Sequence, residues 1–309
     1  MSPPILLVDS SIYVFRAWFT LPGTMVDAEG RPANAVFGFL DFVQRLFAER
    51  APSRIAFAFD QSLSSNFRND IYPDYKANRP PAPEELRQQF AQVRAFLRAA
   101  GLCELSSPRF EADDLIGTLA ARERARGERM LLITADKDLA QLVGAQDQWW
   151  DFPRGEPLDP RAVARKFGVR PEQIADQLAL AGDKVDNIPG VPGVGMATAA
   201  KLLRRFGSLD ALLADIPAIA QMKIRGAKRL MQLIDEYQDI VRLARRLTGI
   251  ECAAELPDHG PLERRPPDLD ALRAWFELMG LSERRRDAWL ALLSGDPALP
   301  PAPTATVPP

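Results

Sequence analysis

The sequence is almost without histidine. His259 is the single one in 309 residues, and it sits in a proline- and aspartate-rich stretch that reads as a loop. Histidine-based acid–base chemistry and histidine-ligated metals are thereby nearly excluded. Cysteine is as scarce. Cys103 and Cys252 stand far apart, fit a reduced compartment, and cannot make a zinc site of paired cysteines. No apolar run approaches the roughly 20 residues that span a bilayer. The N-terminal run ILLV is cut by Asp9 before it reaches the length of a secretion signal. A cytoplasmic enzyme without membrane contact is expected. Neither sign of charge dominates, because the formal net charge is only −2. What matters is where each sign gathers.

Acids gather where apolar strands run out: Asp9 after ILLV, Asp60 after IAFAF and Asp136 after LLITA. Glu111, Asp113 and Asp114 open a helix, and Asp183 and Asp186 flank a glycine-rich turn. In an open α/β sheet, ligands bind outside the carboxyl ends of the strands, so these acids can converge on one crevice. Many carboxylates share a crevice at neutral pH only if cations neutralise them. A two-metal site is expected, and with it phosphodiester chemistry.

The first half alternates short apolar runs with helical patterns. Strands are expected at Ile5–Val8, Ile55–Phe59 and Met130–Thr134, with an edge strand at Trp149–Phe152. Helices are expected at Asn34–Glu49, Pro83–Ala100 and Asp113–Arg126, with a short one at Asp138–Val143. This order predicts an α/β fold with a parallel, doubly wound sheet. The polar stretch between Asp60 and Pro83 is too long for an ordinary connection and is placed as a mobile element over the crevice. From about Pro160 helices take over: Pro171–Ala181, Ala197–Phe206, Ser208–Leu213, Gly226–Tyr237 and Leu269–Leu293. The expected units are 1–160 (α/β core, with an arch at about 61–83), 161–255 (helical), 256–296 (a C-terminal helical segment) and 297–309 (a disordered proline-rich tail).

Each motif also has a plainer reading. Glu111 and Asp114 lie three apart and would share a helix face, with Asp113 pointing elsewhere unless the helix begins there. Acids at that end also suit the helix dipole. Asp136 and Asp138 fit a loop and a helix cap as well as a metal. Lys76 and Arg79, with Tyr75 beside them, fit a solvated loop or a cationic clamp on a phosphoryl group, and aromatics between bases suit single-stranded nucleic acid. Tyr13 and Phe15 fit the core better than a functional surface.

The segment GDKVDNIPGVPGVGMATAAKLL is the most specific local signal. Gly190, Gly193 and Gly195 make a tight turn whose backbone amides open onto a helix N-terminus, which is an anion site. No GK[ST] follows, so this is not a nucleotide P-loop. Between Lys201 and Arg229 stand seven bases (Lys201, Arg204, Arg205, Lys223, Arg225, Lys228, Arg229) against two acids. That is a phosphate-binding footprint.

Together, LLVDSSIYVFRAWF, IAFAFD, NFRNDIYPDYKANRPPAPEELRQQF, FEADDLIGTLA, ITADKDLAQLV and the glycine segment resemble, in order, the bacterial 5′-3′ exonuclease and flap endonuclease family. The resemblance runs from about Ile5 to Arg229. It implies a first Mg2+ held by Asp9, Asp60, Glu111 and Asp113 with Asp114 close by, and a second acidic cluster of Asp136, Asp138, Asp183 and Asp186. Mn2+ would substitute. It places Lys76 and Arg79 in a helical arch, and Tyr13 where relatives stack an aromatic on a base. The glycine turn becomes a helix–three-turn–helix that grips duplex and can hold K+. The expected partner is DNA with a 5′ end or flap beside duplex, bound by a monomer, with any polymerase acting in trans on a free-standing nuclease. The rival readings are a non-catalytic DNA-binding module, a PIN-like ribonuclease and, more weakly, a phosphatase.

Overall fold

The computed structural model describes residues 2–61 and 65–294. Strands β1 (Ile5–Asp9), β2 (Ile55–Asp60), β3 (Cys103–Ser107), β4 (Met130–Ile133) and β5 (Gln148–Trp150) form one parallel sheet in the order β3-β2-β1-β4-β5. The order reverses between β1 and β4, so the carboxyl ends of β2, β1 and β4 open on the switch-point crevice. Successive strand residues serve opposite faces. Leu6, Val8, Phe57, Phe59, Leu131 and Ile133 enter one core, while Ile5, Leu7, Ala56, Ala58, Met130 and Leu132 enter the other. Both faces are covered, which is why these strands are apolar throughout.

Helices α1 (Ser10–Thr20), α2 (Asn34–Arg50), the short α3 (Phe67–Ile71), α4 (Glu84–Ala99) and α5 (Ala112–Ala125) complete the first half. The helical half holds α6 (Pro160–Phe167), α7 (Ile174–Ala181), α8 (Met196–Phe206), α9 (Leu209–Ala214), α10 (Ala227–Glu236) and α11 (Gln238–Thr248). Helix α6 shows the local logic. Asp159 accepts the Ala162 N–H at 2.7 Å, Pro160 takes the first position, and Gly168 at φ +78° ends it.

Several expectations change. Helices α1, α6 and α11 and strand β3 were not anticipated; CELSS in β3 has no apolar run because only alternate residues are buried. The stretch 171–181 starts as a 3-10 turn, Pro171–Gln173, before α7. Among the described residues, 65–83 hold one five-residue helix and then turns, not a long arch helix. The stretch Leu269–Leu293 splits into α12 (Leu269–Leu278) and α13 (Glu283–Ser294) around Gly280 at φ +63°. The C-terminal helical segment returns to the first half: Arg54 and Glu263 form a backbone β-bridge, and Trp275, Phe276 and Trp289 pack with Phe96 into the core of the α/β half. The proline-rich end lies outside the described residues.

Candidate active site

The sheet delivers the acids. Asp9 ends β1, is buried, and accepts the Thr134 hydroxyl at 2.8 Å. Asp60 ends β2 and accepts the Ala112 N–H of α5 at 2.9 Å, which ties β2 to the acidic helix. Asp136 and Asp138 follow β4, and Asp136 accepts the Asp138 N–H at 2.9 Å. Asp183 and Asp186 lie in the turn after α7, closed by mutual backbone bonds between Asp183 and Ile188.

Electrostatics link them into one continuous system. Burial, then Asp60 and Asp136, pushes Asp9 up to about 8. Burial, then Asp136, pushes Asp138 up to about 8 as well. Asp113 is raised well above the carboxylate range by burial and by Asp136, Asp9, Asp60 and Glu111. Asp60 meets solvent at the crevice mouth, yet protein rings it closely; burial raises it more than Lys76 lowers it. Asp136 is raised too, chiefly by burial, and it faces both proposed clusters. Burial also works against Glu111 and Asp183, but cations outweigh it. Lys76 and Arg68 hold Glu111 low, and Lys137, 2.8 Å from Asp183, holds that acid low.

Lys76 is not a solvated loop residue. Its ammonium lies 2.5 Å from Glu111 and 3.8 Å from Asp186, and its backbone takes the left-handed φ of +55°. Arg79 pairs with Asp186. Two bonds latch the segment onto the Asp183 turn: the Lys76 backbone N–H donates to Asp186 O at 3.0 Å, and the Asn78 side-chain Nδ2 donates to Lys184 O at 3.0 Å.

Three expected roles are corrected. Asp113, not Asp114, joins Glu111 in the crevice; Asp114 is fully buried and forks onto Arg68, with both contacts at 2.7 Å. Tyr75 is buried and donates its hydroxyl to Glu111 at 3.0 Å, so its ring is no stacking platform. Tyr13 is buried and stacked on Phe42 at 3.9 Å, as the core reading had it, whereas Phe15 is partly exposed. Arg68, Thr134 and Lys137 escaped sequence reading. The last could have been suspected from its place between Asp136 and Asp138. A buried arginine in a polar stretch leaves no such trace.

Gly190 lets the hairpin close: a Cβ there would lie 2.2 Å from the Gly182 nitrogen. Gly193 takes φ +76°, and Gly195 precedes α8 with no side chain capping its first-turn amides. The Thr198 N–H turns back to Gly195 O at 2.9 Å, and the amides of Met196 and Ala197 remain available to an anion. Lys201, Arg204, Arg205, Lys223, Arg225, Lys228 and Arg229 are all exposed, and none forms an ion pair among the described residues. Acidic crevice and free bases are different chemistries. One wants cations, the other phosphates.

An all-oxygen donor set suits a hard divalent cation. Asp138 Oδ1 is buried without a hydrogen-bond partner, which fits such a ligand. Among the described residues no three acidic, histidine or cysteine side chains are drawn close enough to hold an ion directly. Glu111 is engaged by Lys76, and Mg2+ commonly retains several waters between itself and its carboxylates.

Fold and site together set acids on a switch-point crevice beside a helical half that carries a glycine hairpin and exposed bases. Residues 4–168 match the family described as 5′-3′ exonuclease, N-terminal resolvase-like domain, and residues 169–270 match 5′-3′ exonuclease, C-terminal SAM fold. The chain belongs to the 5′-3′ exonuclease family. It is 42% identical over 254 residues to DNA polymerase I of Pseudomonas aeruginosa, covering 82% of this chain and 28% of that protein. It is 38% identical over 254 residues to DNA polymerase I of Bacillus caldotenax, covering 81% and 28%. The chain thus spans less than a third of the length of these relatives. T5 5′-exonuclease, solved with bound zinc, superposes with a TM-score of 0.63 at 20% identity over 94% of this chain and 98% of that one. The catalytic core of Rad2, solved with DNA substrate, gives 0.60 at 16% identity over 94% and 92%. At these identities the likeness is one of fold. Among the described residues no helix is long and apolar enough to cross a membrane.

Proposed function

We propose that this chain is a divalent-metal-dependent, structure-specific 5′-3′ nuclease that cleaves DNA at a 5′ end or 5′ flap beside duplex. The observation that carries the reading is the continuous acid system at the carboxyl ends of β2, β1 and β4, with Lys76 inserted into it. Asp9, Asp60, Glu111 and Asp113 would hold one Mg2+, and Asp136, Asp138, Asp183 and Asp186 a second; Mn2+ would serve in its place. Bound there, the ions would supply an activated water and charge neutralisation at the attacking and leaving oxygens. The chain's own part is positioning. Lys76 and Arg79 stand ready to exchange Glu111 and Asp186 for a phosphoryl oxygen. The amides ahead of α8, with Lys201 and the bases from Lys223 to Arg229, would hold duplex by its phosphates without reading sequence, and K+ would fit the hairpin. The proposed setting is cytoplasmic replication and repair, with the chain a monomer and a DNA polymerase as partner.

The reading is tested on 5′-flap, nicked, blunt and RNA-primed duplexes with Mg2+ and with EDTA. Cleavage of the flap and nicked substrates only with Mg2+ is expected. Preference for single-stranded RNA would favour the ribonuclease, and binding without any cleavage the DNA-binding module. Lys76→Ala is expected to lower kcat roughly 100-fold while the duplex dissociation constant holds; an unchanged kcat removes Lys76 from the clamp.

The raised carboxyls give a linked expectation. Asp9 and Asp138 stand near 8 in the folded, metal-free chain against 3.8 ordinarily, so the fold binds more protons than the unfolded chain across that window. Their stabilising contribution is complete below the ordinary value and is lost as pH rises through about 8. The melting temperature in EDTA should therefore fall between about pH 4 and about pH 8 and level off above it. Cation binding needs the ionised forms, so the stabilisation by saturating Mg2+ should widen over the same range. A gap independent of pH would show that these acids are already ionised without metal.

A further inference from the structure

We infer that Arg68, Asp114 and Gln141 are positioning residues: a three-part clasp that fixes the helical, duplex-binding half in register with the acidic crevice. The inference rests on the nuclease reading above. Its centre is the backbone of Leu247–Glu251, where α11 ends. Arg68 Nε donates to Leu247 O at 2.9 Å and its Nη2 to Gly249 O at 3.0 Å. Gln141 donates to Thr248 O at 3.0 Å and accepts from the Ile250 N–H at 3.1 Å. Asp114 accepts from the Glu251 N–H at 2.9 Å. Five consecutive residues thus each have a backbone group held by one of three side chains.

Those three side chains come from the three segments that carry the site. Arg68 lies on α3, in the same segment as Tyr75 and Lys76. Gln141 also donates to Asp138 O at 3.0 Å, and Asp114 is the neighbour of Asp113. On its other side α11 is fastened to α7, through Thr248 to Ala175 O at 2.9 Å and Arg245 to Asp176 at 2.6 Å. Helix α7 leads straight into the Asp183 turn and the glycine hairpin. The carbonyls at the end of α11 lack helical partners and sit at the negative end of its dipole, so a guanidinium there is doubly favoured. Gly117 of α5 allows the close approach, since a Cβ would lie 2.7 Å from Ile250 Cγ2.

Asp114 has nothing left for a cation. Its Oδ1 accepts from Arg68 Nη2 and Glu251 N, and its Oδ2 from Arg68 Nη1 and Glu111 N. Four acceptor sites meet four donors. The residue acts through Arg68, and the geometry separates it from its neighbour Asp113.

The test compares Asp114→Asn, Arg68→Lys, their double variant and Gln141→Ala with the wild type. Three quantities are read: kcat and KM on a 5′-flap duplex with Mg2+, the duplex dissociation constant by fluorescence anisotropy in EDTA, and Mn2+ affinity by calorimetry. Duplex affinity should weaken about tenfold and kcat should fall about 100-fold, with Mn2+ affinity held within about twofold. The double variant should be no worse than either single one, because the two act as a unit. If the buried-charge variants do not fold, Gln141→Ala decides alone, with the same pattern at smaller amplitude. A tenfold or greater loss of Mn2+ affinity in Asp114→Asn, or unchanged duplex affinity in every folded variant, overturns the clasp. Should the wild type cleave no DNA, the nuclease reading fails by itself, while the anisotropy and Mn2+ arms still decide this inference.

Discussion

Asp136→Asn should lower flap cleavage on the order of 10³-fold or more, leave duplex binding nearly intact, and raise the melting temperature of the metal-free protein. The first effect follows from coupling. Asp136 acts on acids of both proposed clusters and is among the causes that raise Asp9, Asp113 and Asp138. The second follows because the proposal assigns duplex binding to the exposed bases of the helical half and not to the acids. The third is the more diagnostic. Removing one negative charge relieves several buried like-charge contacts at once, so the site gives up function and the fold gains stability. An asparagine also keeps the carbonyl oxygen that receives the Asp138 N–H. Kinetics on a labelled 5′-flap substrate and a thermal melt in EDTA provide the check. A variant of full activity would remove Asp136 from metal binding, and one both inactive and less stable would mean the acid serves the fold instead.

Gly190→Ala should be nearly as damaging for a different reason. The added Cβ would sit 2.2 Å from the Gly182 nitrogen, 2.4 Å from the Ala181 carbonyl carbon and 2.7 Å from its oxygen. All three are backbone atoms, so no rotamer change relieves the clash. The turn must open, and it carries Asp183 and Asp186 at one end and the amides of α8 at the other. A destabilisation of about 3–4 kcal/mol, with loss of both cleavage and duplex affinity, is expected from denaturant unfolding and anisotropy. Two neighbours serve as controls. Gly193→Ala meets open space and is strained only by its φ of +76°, which costs about 1 kcal/mol. Gly195→Ala has ordinary extended backbone and open space, so the fold should be unmoved and any deficit should show in DNA affinity alone. Equal stability losses at 190 and 195 would mean that backbone crowding does not govern the turn.

Much of this was legible because strands buried on both faces are written as unbroken apolar runs. β1, β2 and β4 announce themselves, and the residue that ends each run marks the crevice. β3 hides because one of its faces is less covered, and CELSS alternates too briefly to be read. Helix α1 hides because SSIYVFRAWFT follows so closely on β1 that no turn residue separates them. The C-terminal aromatics were visible as a helical pattern, but not that they return to pack on α4, since no local signal reports a contact across nearly two hundred residues.

The sequence by itself determined the chemistry on offer. It held carboxylates at strand ends, had almost no histidine or cysteine to compete with them, and carried a glycine turn beside a run of bases. These depend on residue type and spacing alone. Only the tertiary structure decided which of these groups face one another. Asp113 and Asp114 are adjacent, and successive helix residues point about 100° apart. Which one meets the crevice depends on where Arg68 lies, and Arg68 is brought there by packing. The same holds for Tyr75, turned from a surface aromatic into a buried donor to Glu111, and for Lys76, drawn out of solvent by acids distant in sequence. Direction and burial are properties of the assembled fold, because they are set by contacts between segments that no local pattern records.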